Sequence, residues 1–240
     1  MKISIIVPVY NEEKILEANV LAIYNFCQNN LIDEWELMIV DNNSIDQTAS
    51  IGKKLAGTYP LIKYLYLEKK GKGLAIKSGW EVKTADIYCF MDADLATDLS
   101  ALPLLIAGIK EGNNIVIGSR FHRQSRVNRS ALRRLTSLAY HLVLKLILRV
   151  KINDAPCGFK AVDHRIVVEV LPQVSNLEWF FDSELVVLAE KMGYRIKEVP
   201  VVWTEARRDG DKSRVNVLNL GINYFKQVLS LGKKLKLKGL

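Results

Sequence analysis

Two aspartates separated by one small residue, Asp92 and Asp94, have the spacing in this chain that points most directly to chemistry. They follow an apolar, strand-like segment, and alternate side chains of an extended segment lie on the same face. Both carboxylates can therefore reach one hard cation, and Mg²⁺ or Mn²⁺ would bridge them to diphosphate oxygens. The pair predicts a metal–diphosphate site; the alternative is a helix cap followed by an exposed acid.

A third carboxylate, Asp41, ends another strand-like segment. It could accept a hydrogen bond from a nucleobase N–H, or it could form an Asx turn with the three residues that follow it. Further along, Gly71, Lys72 and Gly73 open a predicted helix, where glycines allow close approach and the helix N-terminus attracts phosphate. The spacing is not that of a Walker A loop, and an ordinary glycine turn is the alternative.

Basic side chains are interleaved with leucines between residues 129 and 149. The basic or titratable residues there are Arg129, Arg133, Arg134, His141, Lys145 and Arg149. A basic and strongly apolar helix suits a membrane interface, where long cationic side chains extend towards the headgroups. The alternative is a core helix with one solvated edge.

The elements that position these residues alternate between strand and helix. Strands are predicted at residues 3–9, 36–40, 62–67 and 87–91, and helices at 12–28, 46–56 and 72–83. This order predicts an α/β fold with a mainly parallel central sheet flanked by helices. Ligands bind beyond the carboxyl ends of such strands, where the polar clusters around Asn11, Asp41 and Asp92 fall.

The second half is less regular. A strand at 115–118, a long helix at 128–149, an irregular strand at 154–162, a helix at 181–192 and a strand at 195–203 are predicted. A polar loop at 207–214 precedes an amphipathic segment with no acidic residue after Asp211. We therefore expect a catalytic domain at residues 1–214 and a basic amphipathic C-terminal tail at 215–240.

Composition narrows the partners. The chain has 240 residues and a net charge of +8, which favours a nucleic acid, a phospholipid or a phosphorylated substrate. The basic residues cluster with leucines, which suits lipid better than nucleic acid, so no nucleic-acid partner is expected. Three widely spaced cysteines suggest neither a zinc site nor a disulfide framework, and no signal peptide or spanning helix is predicted.

Seven short motifs occur together in a characteristic order. They are Val7-Pro8-Val9-Tyr10-Asn11-Glu12-Glu13; Val40-Asp41 with Ser44, Asp46 and Thr48; Gly71-Lys72-Gly73 with Ala75 and Gly79; Asp92-Ala93-Asp94; Gly118-Ser119-Arg120; Cys157-Gly158-Phe159-Lys160; and Glu198-Val199-Pro200-Val201. In this combination the chain resembles the family 2 glycosyltransferases with the GT-A fold, and most closely their dolichyl-phosphate glucosyltransferase and mannosyltransferase branch. The resemblance covers about residues 3–216.

The resemblance implies a role for each matching position. Pro8, Tyr10, Glu12 and Asp41 would hold the nucleoside of the donor, and Lys72 and Gly73 match a donor-binding turn. Asp92 and Asp94 match the motif that binds the metal and the diphosphate, with Mg²⁺ or Mn²⁺ as the cofactor. Arg120, Arg133 and Ser137 match positions that handle the acceptor phosphate, and Ser213-Arg214 matches a pair in a mobile loop near the phosphates.

Two positions depart from the family pattern. Asn42 replaces the second residue of a common Asp-Asp pair, and Ala96 stands where mannosyltransferase relatives often carry a metal-binding glutamine. The segments around Trp179 and Trp203 look more like the glucosyltransferases, which usually take UDP-glucose. The resemblance therefore favours a UDP-glucose-like donor, with GDP-mannose as the other candidate.

The implied reaction is an inverting transfer of a hexose to a polyprenyl or dolichyl phosphate at a membrane surface. Because the lipid phosphate is already an anion, no side chain needs to deprotonate it. Asp182 and Glu184 would then orient the donor sugar or an arginine. If the acceptor is a saccharide or small-molecule hydroxyl instead, Asp182 is the candidate base of a soluble glycosyltransferase. A basic nucleic-acid-binding module is a further alternative. We expect a cytoplasmic protein in peripheral contact with an anionic membrane at its cytoplasmic face.

Overall fold

A computed structural model describes residues 1–205 and 217–239, and the side chains of all of these except 131–133 and 217–222. The predicted positions Ser213 and Arg214, the domain boundary at 214/215 and the side chain of Arg133 lie outside the described residues.

Nine strands and seven α-helices make up the described part of the chain. The strands are β1 (Lys2–Val9), β2 (Glu34–Asp41), β3 (Ile62–Tyr66), β4 (Ile87–Met91), β5 (Ile115–Ser119), β6 (Arg126–Asn128), β7 (Phe159–Asp163), β8 (Ile196–Pro200) and β9 (Val202–Thr204). The helices are α1 (Leu16–Asn30), α2 (Thr48–Thr58), α3 (Lys72–Glu81), α4 (Leu102–Lys110), α5 (Ala131–Leu148), α6 (Phe181–Lys191) and α7 (Val217–Leu237). A π-helical turn (Ile166–Val170) and two 3₁₀ turns (Leu99–Ala101 and Leu171–Gln173) complete the elements.

The central sheet has seven strands in the order β3-β2-β1-β4-β7-β5-β8. All neighbouring pairs are parallel except those of β7, which runs antiparallel to both β4 and β5. Five consecutive residues of β1, from Ile3 to Val7, are fully buried. Because alternate residues point to opposite faces, both faces of the sheet are covered, and the predicted fold class is confirmed.

The segment predicted as one strand at 195–203 is divided in two. β8 joins the central sheet, whereas β9 pairs with β6 in a separate two-stranded sheet. Pro200 has no backbone N–H, and the N–H of Val201 donates to Oγ of Ser125 at 3.0 Å instead of to a strand partner. The strand therefore breaks here, and β9 leaves the main sheet towards β6.

Three other differences concern helices. Helix α1 begins at Leu16 and ends at Asn30, whereas residues 12–28 were predicted. The predicted helix at 128–149 begins only at Ala131, because residues 126–128 form β6. Helix α4, with Pro103 in its first turn, was not predicted; its residues are mostly apolar, and Leu102, Leu105, Ile106 and Ile109 are buried. A helix that is apolar on most sides lacks the amphipathic period on which sequence-based prediction relies.

Helix α7 packs on the rest of the chain along one face. Val228, Leu231 and Leu235 are buried, and the Tyr224 ring lies 5.2 Å from that of Tyr140 in α5. Nζ of Lys234 donates to Oε1 of Glu184 in α6 at 2.7 Å. The C-terminal helix is thus fastened to α5 and α6 by apolar contacts and a charged hydrogen bond.

Helices α5 and α7 also carry exposed apolar side chains. On α5, Leu135, Leu138, Leu142 and Leu146 are exposed at helical spacing, and on α7, Phe225 and Leu229 are exposed. We call these six residues the apolar rim. None of the described helices combines the length and hydropathy needed to cross a bilayer.

Candidate active site

The candidate site lies where β1, β2 and β4 end. The register aligns Val9 of β1 with Asp41 of β2, and β4 runs parallel on the other side of β1. The loops after β1 and β2 are tied together, since the N–H of Asn11 donates to Oγ of Ser44 at 2.9 Å. Polar residues distant in sequence therefore meet at one edge of the sheet, as parallel strands require.

Asp41 is fully buried at this edge. Its Oδ1 accepts the N–H of Ser44 at 2.9 Å, and its Oδ2 accepts the hydroxyl of Tyr64 at 2.7 Å. Burial and the neighbouring carboxylate raise the pKa of Tyr64 well above its usual value, so that tyrosine remains a donor to Asp41. The turn anticipated for residues 41–44 forms, and Tyr64 is a partner that the sequence did not suggest.

The other predicted nucleoside positions lie at the end of β1 or in the loop that follows it. Pro8 pairs in register with Val40, and Tyr10 is half-buried with Nζ of Lys70 4.5 Å from its ring centroid. The N–H of Glu12 donates to Oγ1 of Thr48 at 2.8 Å, which joins the loop after β1 to the start of α2. These residues border the same end of the sheet.

Asn42, one of the two departures from the family pattern, holds the glycine turn. Its Oδ1 accepts the buried N–H of Gly71 at 2.7 Å. Gly71 has φ of +151°, and a Cβ there would lie 2.5 Å from the carbonyl oxygen of Leu177; a Cβ on Gly73 would lie 2.5 Å from Cβ of Phe181. Because neither glycine carries a Cβ, the start of α6 and the segment before it can pack closely against the start of α3.

Four charged side chains alternate in sign beside this turn. Nζ of Lys72 lies 2.7 Å from Oδ1 of Asp92 and 3.3 Å from Oδ2 of Asp182, and Nζ of Lys160 lies 3.3 Å from Oδ1 of Asp182. Burial opposes the charge on Lys72, but Asp182 and Asp92 outweigh it and raise the pKa of that ammonium above its usual value. We call these four residues the charge row.

Only the Asp92 end of the charge row opens to solvent. The side chain of Asp92 is 46% exposed, against 4% for Asp182 and none for Lys160. Among the described residues, Asp182 thus lies between two lysine ammonium groups. A Cβ on Gly158 would lie 2.0 Å from Oδ2 of Asp92, so the glycine after Cys157 is required for that carboxylate to fit.

Asp92 and Asp94 line one cleft with Arg120 and Trp203. Oδ1 of Asp94 accepts the N–H of Ala96 at 3.1 Å, which fixes the turn after β4. Across residues 1–205 and 217–239, no group of three or more His, Cys, Asp or Glu side chains could hold a metal ion. The two carboxylates nevertheless suit a cation that takes its remaining oxygen ligands from a diphosphate, and the Lys72 ammonium already places a positive charge at Asp92.

Arg120 is held rigidly at the side of this cleft. Its Nε and Nη2 donate to the two oxygens of Asp154 at 2.8 and 2.7 Å, and its backbone N–H donates to Oδ2 at 2.8 Å. Asp154 is fully buried, and its own N–H donates to Oε1 of Glu198 at 3.0 Å. Burial disfavours the guanidinium charge, but Asp154 raises the pKa of Arg120, so it stays a cation.

The predicted acceptor residues are only partly within the described structure. Ser137 is half-buried on α5, and its Oγ accepts a hydrogen bond from Nη2 of Arg129. The structure thus adds Arg129 as a neighbour of Ser137.

Two other side chains near the site have structural roles. Oε1 and Oε2 of Glu184 accept from Ser175 and Asn176 as well as from Lys234. Burial raises the pKa of Cys157 to about 12, so its thiol stays protonated at neutral pH.

Lys160, Asp154 and Glu198 contribute to the site, although they were not predicted as site residues. Lys160 and Glu198 do fall within the motifs that carry the family resemblance. Buried charges are uncommon unless they are paired, so a lysine among apolar residues was the available signal for Lys160. The partner of each residue could not be read from the sequence, because the partners are distant along the chain.

The mainly parallel sheet gathers an aspartate pair, a lysine and an arginine at one edge, and the fold belongs to the GT-A class of glycosyltransferase folds. The chain belongs to glycosyl transferase family 2, whose family model matches residues 4–171.

Several proteins with similar sequences are named as glycosyltransferases. The chain is 29% identical to glycosyltransferase AglD of Haloferax volcanii, over 85% of this chain and 33% of that protein. It is 31% identical to the dolichyl-phosphate beta-glucosyltransferase ALG5C of Trichomonas vaginalis, over 84% of this chain and 64% of the relative. The yeast dolichyl-phosphate beta-glucosyltransferase is 26% identical, over 88% of this chain and 68% of the yeast protein. This chain thus spans one third to about two thirds of the length of these relatives.

Solved structures share the fold. Glucosyl-3-phosphoglycerate synthase of Mycobacterium tuberculosis bound to UDP superimposes with a TM-score of 0.70 at 18% identity, over 97% of this chain and 80% of that one. Its complex with Mn²⁺, UDP-glucose and phosphoglyceric acid also gives 0.70, at 20% identity and the same coverage. At this identity the similarity establishes the fold.

Proposed function

We propose that this protein transfers glucose from UDP-glucose to a polyprenyl phosphate at a membrane surface. The observation that carries the proposal is one cleft in which Asp92 and Asp94 face Arg120. Carboxylates suit a metal-bound diphosphate, and a guanidinium suits an anionic acceptor. The carboxylates for the metal-bound donor and the guanidinium for the acceptor thus line the same cleft.

The relatives support this donor and this acceptor. The relatives in Trichomonas vaginalis and yeast are named dolichyl-phosphate beta-glucosyltransferases. The mycobacterial enzyme with the same fold was crystallised with UDP-glucose. We assign the base of the donor to the end of β2, next to Asp41, and its diphosphate to Lys72 and the Asp92–Asp94 pair. GDP-mannose is the donor to be tested against UDP-glucose.

Asp92 and Asp94 would hold a divalent cation, Mg²⁺ or Mn²⁺, together with the donor diphosphate. The mycobacterial complex contains Mn²⁺. When bound, such a cation neutralises charge that develops on the departing nucleoside diphosphate. Lys72 supports the same task, because its ammonium lies at Asp92 and stays protonated.

The acceptor phosphate attacks the anomeric carbon from the face opposite the nucleotide, and the configuration inverts. The phosphate is already an anion, so the step needs no general base. Asp182 is an unsuitable base, since it is almost fully buried and held by two ammonium groups. The same burial weighs against the alternative of a saccharide hydroxyl acceptor that relies on Asp182.

The apolar rim would dock on the bilayer. Its six exposed apolar side chains lie on α5 and α7, which also carry Arg134, Lys226, Lys233 and Lys236. Apolar side chains can enter the headgroup layer, and each nearby lysine or arginine gains roughly 1 kcal/mol from anionic lipid. Docking through the rim would bring the cleft to the headgroup of a lipid phosphate.

The test pairs donors with acceptors. Purified protein with Mn²⁺ is incubated with labelled UDP-glucose or GDP-mannose and with a polyprenyl phosphate, the matching polyprenol or a saccharide. We expect glucose to appear on the polyprenyl phosphate alone, and β-linked, since UDP-glucose carries an α linkage. Transfer to the saccharide but not to the phosphate would overturn the acceptor assignment, and a preference for GDP-mannose would overturn the donor assignment.

A further inference from the structure

The indole of Trp203 contacts two arginines from different parts of the chain. Cζ of Arg120 lies 6.0 Å from the ring centroid, and Cζ of Arg129 lies 5.7 Å from it. A guanidinium within about 6 Å of an indole is attracted by the negative face of the ring. Two guanidinium groups of like charge therefore lie within about 6 Å of the same ring.

The backbone fixes the position of Trp203. Val127 of β6 pairs with Trp203 of β9, and Thr97 forms an isolated bridge with Trp203 from another side. The N–H of Thr204 donates to the carbonyl of Ala96 at 2.8 Å. The strand that carries the indole is thus hydrogen-bonded to the loop that follows Asp92 and Asp94 in the chain.

The two arginines are positioned by different means. Asp154 engages Nε and Nη2 of Arg120, which leaves Nη1 outside that pair. Arg129 donates from Nη2 to Oγ of Ser137 on α5. Through Trp203 and Arg129, the structure links Arg120 in the cleft to Ser137, two positions that the family resemblance assigned to the same acceptor phosphate.

We propose that Arg129 is a further acceptor-binding residue. Trp203 is then a positioning residue that sets the distance between Arg129 and Arg120. The ligand is the phosphate monoester of the acceptor, which Arg120, Arg129 and Ser137 bind together. Guanidinium groups present planar pairs of N–H donors that match phosphate oxygens. This inference rests on the proposed lipid phosphate acceptor. It adds Arg129 as a residue that binds the phosphate and Trp203 as a residue that positions Arg129.

The test compares Arg129→Gln, Arg129→Lys and Trp203→Phe with Arg126→Gln. Arg126 is a matched control, because it is an exposed arginine on β6, the strand that ends just before Arg129. The acceptor is a short, soluble isoprenyl phosphate, and the KM values for acceptor and UDP-glucose are measured separately. We expect Arg129→Gln to raise the acceptor KM about tenfold or more, as for loss of a charged hydrogen bond, with the donor KM unchanged. Arg129→Lys and Trp203→Phe should give intermediate increases, and Arg126→Gln none.

A binding measurement separates this inference from the proposed function. Inorganic phosphate is titrated into the wild type and Arg129→Gln, with thermal melting as the check that both are folded, and we expect weaker binding by the variant. If the wild type glucosylates isoprenyl phosphate but Arg129→Gln matches it in acceptor KM and phosphate binding, this inference is wrong and the proposed function stands. Equal increases in both KM values would make Arg129 a structural residue. A wild type that uses no phosphate acceptor would overturn the proposed function, and unchanged phosphate binding in the variant would then overturn the inference separately.

Discussion

Nζ of Lys72 lies 2.7 Å from Oδ1 of Asp92, the carboxylate at the open end of the charge row. In this arrangement the Lys72 ammonium occupies a position beside Asp92 that the proposed cation would also need. The contact implies competition between the ammonium and a divalent cation for Asp92. It also implies that a donor diphosphate, which attracts Lys72, favours binding of the cation.

Replacing Lys72 by Met tests this competition. We expect Lys72→Met to bind Mn²⁺ about tenfold more tightly in the absence of nucleotide, because one competing charge is removed. Binding is followed by the loss of the free Mn²⁺ signal in electron paramagnetic resonance. Lys77→Met is the control, since Lys77 lies on the same helix and is 3.9 Å from Glu81. Unchanged or weaker Mn²⁺ binding by Lys72→Met would contradict the competition.

The metal site itself is tested at Asp94. Asp94→Asn keeps the shape of the side chain but removes a charged ligand, so transfer should fall on the order of 100-fold while the melting temperature stays close to that of the wild type. Asp98→Asn is the control: Asp98 is exposed on the same loop and accepts the N–H of Ser100 at 2.9 Å. Full activity of Asp94→Asn, or of the wild type in excess chelator, would rule out the metal role.

The attachment of α7 is tested at Lys234. Lys234→Met leaves the buried carboxylate of Glu184 without its cation, which should lower the free energy of unfolding. We expect a loss of about 2 kcal/mol, less than for a fully buried pair, because the lysine is partly exposed to solvent. The measurement is the midpoint of urea unfolding. Lys236→Met, an exposed lysine on the same helix, should leave the midpoint unchanged. Equal midpoints for both variants would show that the Glu184–Lys234 pair adds nothing to stability.

Membrane docking is tested by placing a charge in the apolar rim. Leu142 is 54% exposed, so Leu142→Glu should leave folding intact but reduce sedimentation with anionic liposomes several-fold at low salt. Leu104→Glu, at an exposed leucine on α4, is the control and should bind like the wild type. A point substitution is preferable to deleting the tail, because Val228, Leu231 and Leu235 of α7 are buried. Unimpaired liposome binding by Leu142→Glu would exclude the rim as the docking surface.

The pH dependence of stability is tested at His141. Burial, and after it the charge of Lys145, lower the pKa of His141 below 6.5. The unfolded chain then binds the proton more readily, so this contribution is complete above about pH 6.5 and is lost as the pH falls through the folded pKa. We expect the free energy of unfolding to fall less between pH 7.5 and 5.5 in His141→Gln than in the wild type. Identical decreases would show that His141 contributes nothing to this dependence.

The sequence by itself determined the first five strands and the family. Short, largely apolar runs that end at polar residues predicted β1 to β5 within two residues at each end, because such runs are a local feature of the sequence. The motif order was sufficient for the family, which the family model confirms. Asp41 and Asp92 had to lie at one edge, because parallel strands all end on the same side of a sheet.

The tertiary structure alone decided which charged groups meet. Lys72 and Asp182 are 110 residues apart, and Arg120 and Asp154 are 34 apart, so no local pattern could pair them. The insertion of β7 between β4 and β5 and the break after Pro200 depend on long-range hydrogen bonds. A residue type sets which contacts a side chain can make, but the packed chain sets which partner is within reach.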